Sequence, residues 1–256
     1  MTLKKFYAPV LLLALAAVSP FLNIPGASPA DAAPVKATMA ALAPAVIPAP
    51  APEVAPAVQA PKPAAARMAF ANGVPGLSPQ VLSLALDAIT SARARGISGR
   101  EDLLTVIDYS LPSTEPRLWV LDLERGKVLY NELVAHGRGS GANYATSFSN
   151  EPNSHQTSLG LFLTGGTYQG GNGYSLKLRG LDKGLNDLAE ARYIVMHGAW
   201  YVSPEQARAQ GRIGRSWGCP ALSEKIAPEV IDTIKGGTFI FSYAAKAAGS
   251  LPKYAG

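Results

Sequence analysis

One cysteine, Cys219, stands in 256 residues. A single thiol excludes an intrachain disulfide framework and every CxxC-type zinc site. Histidine is nearly as scarce, with His136, His155 and His197 the whole supply. Neither HExxH nor H-x-H occurs, so the metallopeptidase signatures are absent. Gly137-Arg138-Gly139-Ser140-Gly141 has the glycines of a phosphate loop but not its G-x-x-x-x-G-K-[ST] spacing, and reads as a flexible turn. Charge is low too: 16% of residues are charged and the formal net charge is +5, a mild excess with no nucleic-acid signature. Beyond residue 32 no run of 18 apolar residues occurs, so no later segment reads as a membrane span. No metal and no cofactor are expected.

What is present begins with a leader. Lys4 and Lys5 precede the apolar run Ala8–Val18, which is too short to span a bilayer, and Ala30-Asp31-Ala32 suits a small-x-small cleavage site. Residues 1–32 are read as a secretory signal peptide cut after Ala32. An uncleaved leader is the alternative, and the one expected contact with a membrane. No cysteine lies near the cleavage site, which excludes a lipoprotein anchor. Cleavage removes two lysines and one aspartate, lowering the charge from +5 to +4. The expectation is an exported, periplasmic protein associated with the cell wall. Exported proteins usually pair their thiols or dispense with them, so Cys219 is either buried and inert or a working nucleophile.

Residues 33–66 hold 14 Ala and 8 Pro, with no Gly and no aromatic residue. Frequent Pro breaks helices and little there can build a core, so the stretch reads as an extended, disordered tether. The remaining 190 residues, 67–256, suit one domain. Ser78-Pro79 opens a helix whose stripe is Val81, Ala85, Ala88 and Ala92, with Leu82, Leu86 and Ile89 beside it, and Gly96 ends it. Ser98 with Glu101 resembles a capping box and predicts a second helix to about Tyr109. Residues 67–110 are therefore expected to be a helical segment packed on a catalytic domain at 111–256.

From Arg117 the pattern turns to strands. Arg117–Leu123 and Val128–Val134 form a predicted hairpin about Glu124–Lys127. Residues 137–184 carry 11 glycines between strand-like pieces at Leu159–Thr164 and Tyr174–Leu181. Arg192–Met196 is a further strand ending at His197-Gly198, a helix is expected at Pro228–Lys235, and Thr238–Tyr243 closes the set. Short strands among many glycines indicate a twisted or barrel-like sheet, so the fold class is mainly β with flanking helices.

Two places can carry chemistry: His197 at a strand end, and Ser216-Trp217-Gly218-Cys219-Pro220-Ala221. A free thiol is only a few per cent thiolate at pH 7. An imidazole can take its proton and return it to a leaving amine. The Gly198 carbonyl is one acceptor able to hold the other ring nitrogen of His197. The N–H groups of Trp217, Gly218 and Cys219 can meet a developing oxyanion. On residues alone the alternatives stay open, since a lone Cys also serves as a small buried hydrophobe and a lone His as a structural residue. Gly214-Arg215-Ser216-Trp217-Gly218 matches G-x-S-x-G, but no hydrophobic strand precedes it and no His follows, so a serine nucleophile is rejected. His136 and His155 have no partner motif and are read as structural or surface residues.

Over about Leu103–Tyr243 the sequence resembles the L,D-transpeptidase catalytic domain of YkuD-like fold. The divergent branch, with Ser-x-Gly-Cys-x-Ala, fits best. Phe148-Ser149-Asn150, Ser158-Leu159-Gly160, Thr164-Gly165-Gly166-Thr167-Tyr168 and Ile194-Val195-Met196-His197-Gly198-Ala199 carry the likeness. The resemblance implies a YkuD-like β-sandwich or barrel, with Cys219 as nucleophile, His197 as base and acid, and Gly198 as the carbonyl that orients it. It also implies an oxyanion hole at Trp217, Gly218 and Cys219. The implied reaction forms an acyl-thioester and transfers it to an amine of a second peptidoglycan stem peptide.

The departures bear on recognition. Trp217 replaces the motif's usual His, and Ala221 replaces Arg or Asn. Arg212, Arg215 and Ser216 are the substrate-binding candidates, the two arginines as cationic partners of a stem-peptide carboxylate, with solvated loop arginines as the alternative. The divergent branch implies 1,3 crosslinks (L-Ala to diaminopimelate) and the main branch 3,3 crosslinks. Water resolving the thioester would instead make an L,D-carboxypeptidase or endopeptidase, and a non-catalytic wall-binding module is a third reading. Carbapenem-type β-lactams are implied as possible inhibitors.

Overall fold

The computed structural model describes residues 63–254. The expected leader, and the tether as far as residue 62, lie outside the described residues. Within them eight strands form one sheet in the order β3-β2-β1-β8-β4-β5-β6-β7. These are β1 (Arg100–Asp108), β2 (Leu118–Asp122), β3 (Lys127–Glu132), β4 (Gly160–Gly170), β5 (Gly173–Gly180), β6 (Val195–Gly198), β7 (Ala221–Leu222) and β8 (Thr238–Tyr243). β1 runs parallel to β8, and β6 to β7; the other neighbours are antiparallel. Four helices accompany the sheet: α1 (Pro63–Ala69), α2 (Pro79–Ala94), α3 (Pro204–Gln210) and α4 (Ala227–Ile234). The mainly β class with flanking helices is the one observed.

Period-two alternation divides the central strands between two apolar layers. Leu104 and Val106, Trp119 and Leu121, Leu161, and Phe239 and Phe241 join the layer of α1 and α2. Their neighbours Ile107, Leu118, Val120, Phe162 and Ile240 join the layer of α4. The expected stripe of α2 is buried in full. Burying each of its larger aliphatic side chains contributes about 1.5–3 kcal/mol.

Two expectations fail in this region. Residues 98–109 form no helix, because β1 occupies Arg100–Asp108 and pairs with both β2 and β8. Glu101 takes no capping role and instead receives the Arg93 guanidinium at 3.0 Å. A strand buried on both faces loses its alternation of polar and apolar residues, and a short apolar run then does not distinguish strand from helix. The expected boundary after residue 110 accordingly cuts through the sheet. Residues 63–66 are not tether either: Pro63 opens α1 and Ala66 is fully buried. Pro at a first turn followed by an Ala run starts a helix rather than breaking one.

A third element escaped the sequence reading. α3 lies in the polar stretch 203–213, where Ser203 Oγ accepts from Gln206 N at 3.2 Å and Gly211 closes the helix in the left-handed region. The Ser-Pro start and Gly stop repeat the signals of α2, but only Ala207 of this helix is buried.

Candidate active site

β6 places His197 at the heart of the site. Its residue pairs with Ser175 of β5 on one side and Ala221 of β7 on the other. His197 Nδ1 lies 2.8 Å from the Gly198 carbonyl oxygen. A carbonyl only accepts, so Nδ1 carries the hydrogen and Nε2 keeps its lone pair. Burial pushes the His197 pKa below the ordinary imidazole value, and the bond to Gly198 opposes that shift. The ring is therefore neutral at pH 7.

The nucleophile candidate sits on the loop entering β7. His197 N donates to Pro220 O at 3.4 Å, which brings the loop against β6. A second extended segment holds the loop from its other side: Ser216 N donates to His136 O (3.0 Å), Arg138 N to Ser216 O (2.8 Å) and Ala135 N to Ala221 O (2.8 Å). Gly137 lies between these bonds, where a Cβ would come 2.9 Å from Gly218 Cα. Part of the glycine content of residues 137–184 thus serves backbone approach rather than flexibility.

Cys219 is buried, and its sulfur is held by backbone. Val195 N donates to Sγ at 3.5 Å, and the thiol donates to Tyr193 O at 3.7 Å. Among the described residues no hydrogen bond joins Sγ to His197; the imidazole is on β6 and the thiol on the loop entering β7, turned to residues 193–195. Burial pushes the thiol pKa up. The Val195 N–H, the Arg192 cation and the N–H of Cys219 itself work against that rise without cancelling it. The thiol is therefore protonated at pH 7, and a base is needed to activate it.

The three amides grouped as an oxyanion hole divide. Gly218 N is already committed to Ser216 Oγ at 3.1 Å. The N–H groups of Trp217 and Cys219 bond to no other described residue. Gly218 serves by shape: its φ is 123°, and a Cβ there would come 2.8 Å from Gln156 O.

The three substrate-binding candidates are engaged within the chain. Ser216 is buried and its Oγ also donates to Cys219 O at 2.6 Å, so it clamps the loop instead of facing a ligand. Arg215 Nη1 donates to Gly141 O at 2.8 Å, and Arg212 Nη1 to Ile213 O at 3.1 Å. Trp217 projects outward, 68% exposed, and stacks on His155 at 4.9 Å with the Arg138 guanidinium 5.4 Å from its ring. His155 thus supports the exposed indole. His136 is fully buried, with Nδ1 2.7 Å from Arg117 Nη2. Burial, with the Arg117 charge, lowers its pKa to about 4.

Arg192 was missed from sequence. Its guanidinium donates to Ser149 O (2.7 Å), Ser158 Oγ (2.5 Å), Gln156 O (2.8 Å) and Ser154 Oγ (3.2 Å). It ties the segment containing Phe148-Ser149-Asn150 and Ser158-Leu159-Gly160 to the front of β6, and it is the cation that favours thiolate at Cys219. Its one sequence signal was its place at the start of the strand that ends in His197. Among the described residues no three His, Cys, Asp or Glu side chains gather as a metal site.

Residues 74–243, more than half of the chain, match a family model described as L,D-transpeptidase catalytic domain. Among curated proteins none matches in sequence. Solved structures with some likeness include an L,D-transpeptidase from Mycobacterium smegmatis, 17% identical over 56% of this chain and 59% of that one, with a TM-score of 0.34. The L,D-transpeptidase LdtMt1 in complex with imipenem has the same four values. The helical cell shape determining protein Pgp2 from Campylobacter jejuni is 13% identical over 56% of this chain and 47% of that one, with a TM-score of 0.36. This chain thus spans about six tenths of the length of the two L,D-transpeptidases, and at these scores the superpositions add nothing to the family match.

Proposed function

The chain belongs to the L,D-transpeptidase catalytic-domain family, and from that premise we propose that it is a cysteine-dependent acyltransferase of peptidoglycan. The observation that carries the reading is the 2.8 Å contact between His197 Nδ1 and Gly198 O. It leaves Nε2 free to act as base on the strand beside the loop of the chain's one thiol.

In this mechanism the thiol proton of Cys219 passes to Nε2 and Sγ attacks a donor-peptide carbonyl, forming a C–S bond. The oxyanion meets the N–H groups of Trp217 and Cys219. The C–N bond then breaks and the leaving amine takes the proton from Nε2, leaving a thioester. An amine of a second stem peptide attacks the thioester and gives its proton to Nε2. The C–S bond breaks and the thiol takes that proton back.

The Ser216-x-Gly218-Cys219-x-Ala221 pattern supports the 1,3 linkage, L-Ala of one stem to diaminopimelate of the other. The leader-like residues 1–32 support export to the periplasm and cell wall. LdtMt1 was captured with imipenem, and acylation of Cys219 by carbapenems is proposed here on the same family footing.

Mass spectrometry of muropeptides after incubation of sacculi with the protein tests the reading. Crosslinked dimers are expected, and Cys219→Ala abolishes them while keeping the wild-type thermal transition. Shortened monomers in place of dimers would turn the reading to hydrolysis. An unchanged muropeptide profile would overturn both.

A further inference from the structure

Trp217 stands two residues before Cys219, and its indole is braced from one side. The His155 ring stacks on it at 4.9 Å, 23° from parallel, and the Arg138 guanidinium carbon lies 5.4 Å from the ring centre. Arg138 Nε also donates to His155 Nδ1 at 3.2 Å. Groups packed on opposite faces of a ring stand about 7 Å apart or more. Arg138 and His155 therefore share one face of the indole. Among the described residues no other ring or cation packs on it. The opposite face is open to solvent, in keeping with an exposure of 68%.

The brace is held in an uncommon conformation. His155 has a φ of 54° and Asn153 a φ of 60°. Non-glycine residues are uncommon in that region, and such outliers cluster at ligand clamps where the surroundings enforce them. Here Gly139 N donates to His155 O at 2.9 Å. Arg192 Nη2 holds the residues on either side, Ser154 Oγ at 3.2 Å and Gln156 O at 2.8 Å. The cation that favours thiolate at Cys219 thus also fixes the imidazole under the indole. A fixed indole gives up little rotamer freedom when a ligand docks on it. Exposure alone does not make such a face: Trp200 is 69% exposed, but its ring partner Tyr201 meets it edge-on at 78°.

The open face sets the chemistry of its ligand. A cationic ligand would be repelled by the Arg138 charge. A hexopyranose is neutral, with a face of C–H bonds to cover the indole and an edge of hydroxyl and amide oxygens. Those oxygens accept from a guanidinium, and Arg138 takes part in no ion pair among the described residues. Distance also favours a sugar. L-Ala is the first stem residue, joined through a lactyl group to the sugar of the glycan strand. Six bonds separate its carbonyl carbon from the sugar ring, a reach of about 7 Å, which is also the extended span of two residues. Trp217 is two residues from the nucleophile. A donor reacting at the third stem residue would carry its sugar roughly twice as far away or more.

We infer that the open face of Trp217 is a saccharide platform, on which the sugar ring bearing the donor stem stacks while its L-Ala carbonyl meets Cys219. The inference rests on the transferase reading with an L-Ala donor and adds the glycan to what that site recognises.

The test separates sugar binding from chemistry. Two ligands are titrated by NMR into the full chain carrying Cys219→Ala, which halts turnover: a disaccharide-tetrapeptide, and the same tetrapeptide with a lactyl group but no sugar. The sugars are expected to lower Kd about tenfold. The indole N–H signal of Trp217, identified by its loss in Trp217→Phe, should move with the disaccharide ligand alone. Trp217→Ala should bind the two ligands within about twofold of each other. Trp217→Phe, with a smaller ring, and His155→Ala, without the brace, should each keep part of the preference, and Trp200→Ala all of it. Equal affinities for the two ligands, or a sugar preference that survives Trp217→Ala, overturn the platform. The indole signal is read on the native loop, so an unmoved signal at saturation overturns it even if Trp217→Ala fails to fold. Imipenem acylation of the unsubstituted chain, read by intact mass, tests the thioester reading separately. No adduct together with sugar-dependent binding through Trp217 would count against the chemistry and for the platform. An adduct together with sugar-blind binding would remove the platform alone.

Discussion

The N–H of Val195 donates to Cys219 Sγ across 3.5 Å, and two residues along the same strand His197 gives its Nδ1 to the Gly198 carbonyl. One short strand therefore holds both the sulfur and the imidazole. The thiol hydrogen rests on Tyr193 O, 3.7 Å away. A thiol is a weak donor, so the bond to Tyr193 O costs little to give up. Thiol and imidazole are both neutral at pH 7, and in the proposed reaction activation is left to the arrival of substrate.

That pairing sets the pH profile of acylation. Burial holds the Cys219 pKa above its ordinary value and the His197 pKa below its own. The base is lost only when His197 takes up a proton, so the acid limb of the imipenem acylation rate is expected below the free imidazole value of about 6.5. His197→Gln should lower the rate about 10²–10⁴-fold, the usual span for general base catalysis, and remove that limb. Stopped-flow rates from pH 4.5 to 8 check it. A midpoint above 6.5 would contradict the neutral pair.

The local contact that orients His197 could be read from residue types, because its partner lies close in sequence. His197 with Gly198, and the run Ser216–Cys219, are local patterns with local roles. Two of the parts that were misread, β1 and Arg192, depend on distant partners, and Ser216 depends on local bonds its residue type does not reveal. β1 was taken for a helix because its apolar run is buried between β2 and β8, and only those neighbours decide the matter. Ser216 was taken for a ligand contact because nothing in its type shows that its hydroxyl is spent on Gly218 N and Cys219 O. Arg192 was passed over because its four acceptors lie 34 to 43 residues upstream. A cation's role is set by the acceptors that surround it, and here those belong to a segment folded against it.

Arg192 should act on both the fold and the thiol. Arg192→Met removes four hydrogen bonds and the cation that favours thiolate. The pH midpoint for alkylation of Cys219 by iodoacetamide is expected to move upward, and the thermal transition downward. Arg192→Lys keeps the charge but not the planar fork. It should restore most of the alkylation midpoint and little of the thermal stability. Equal behaviour of the two variants in both measurements would show that charge and fork are not separable here.

His136 predicts an acid-sensitive fold. Buried against Arg117, its folded pKa is about 4, while the unfolded imidazole titrates near about 6.5. As pH falls below 6.5 the unfolded chain binds the proton first. Stability is therefore full above that value and is lost as pH falls toward 4. Buried His197 contributes in the same direction. His136→Asn retains an acceptor for Arg117 and does not titrate. Its thermal transition should start lower at pH 7.5 but fall less between pH 7.5 and 5 than the wild-type value. Parallel pH slopes in the two proteins would assign the acid sensitivity elsewhere.

Two substitutions in the nucleophile loop should fail for different reasons. Gly218→Ala forces a side chain into a backbone at φ 123°, with its Cβ 2.8 Å from Gln156 O and 3.1 Å from Ile194 Cδ1. The loop must shift, and the variant is expected to lose about 1–3 kcal/mol of stability together with acylation. Ser216→Ala fits sterically but leaves Gly218 N and Cys219 O without their shared hydroxyl. Two unpaired groups in a buried turn cost about 1–3 kcal/mol each when no water replaces the bond. Acylation should fall while imipenem still reacts slowly, and Ser216→Thr, which keeps the hydroxyl, should recover part of the rate. Chemical denaturation alongside acylation rates separates the two cases. Full activity in Ser216→Ala would show that the clamp does not organise the site.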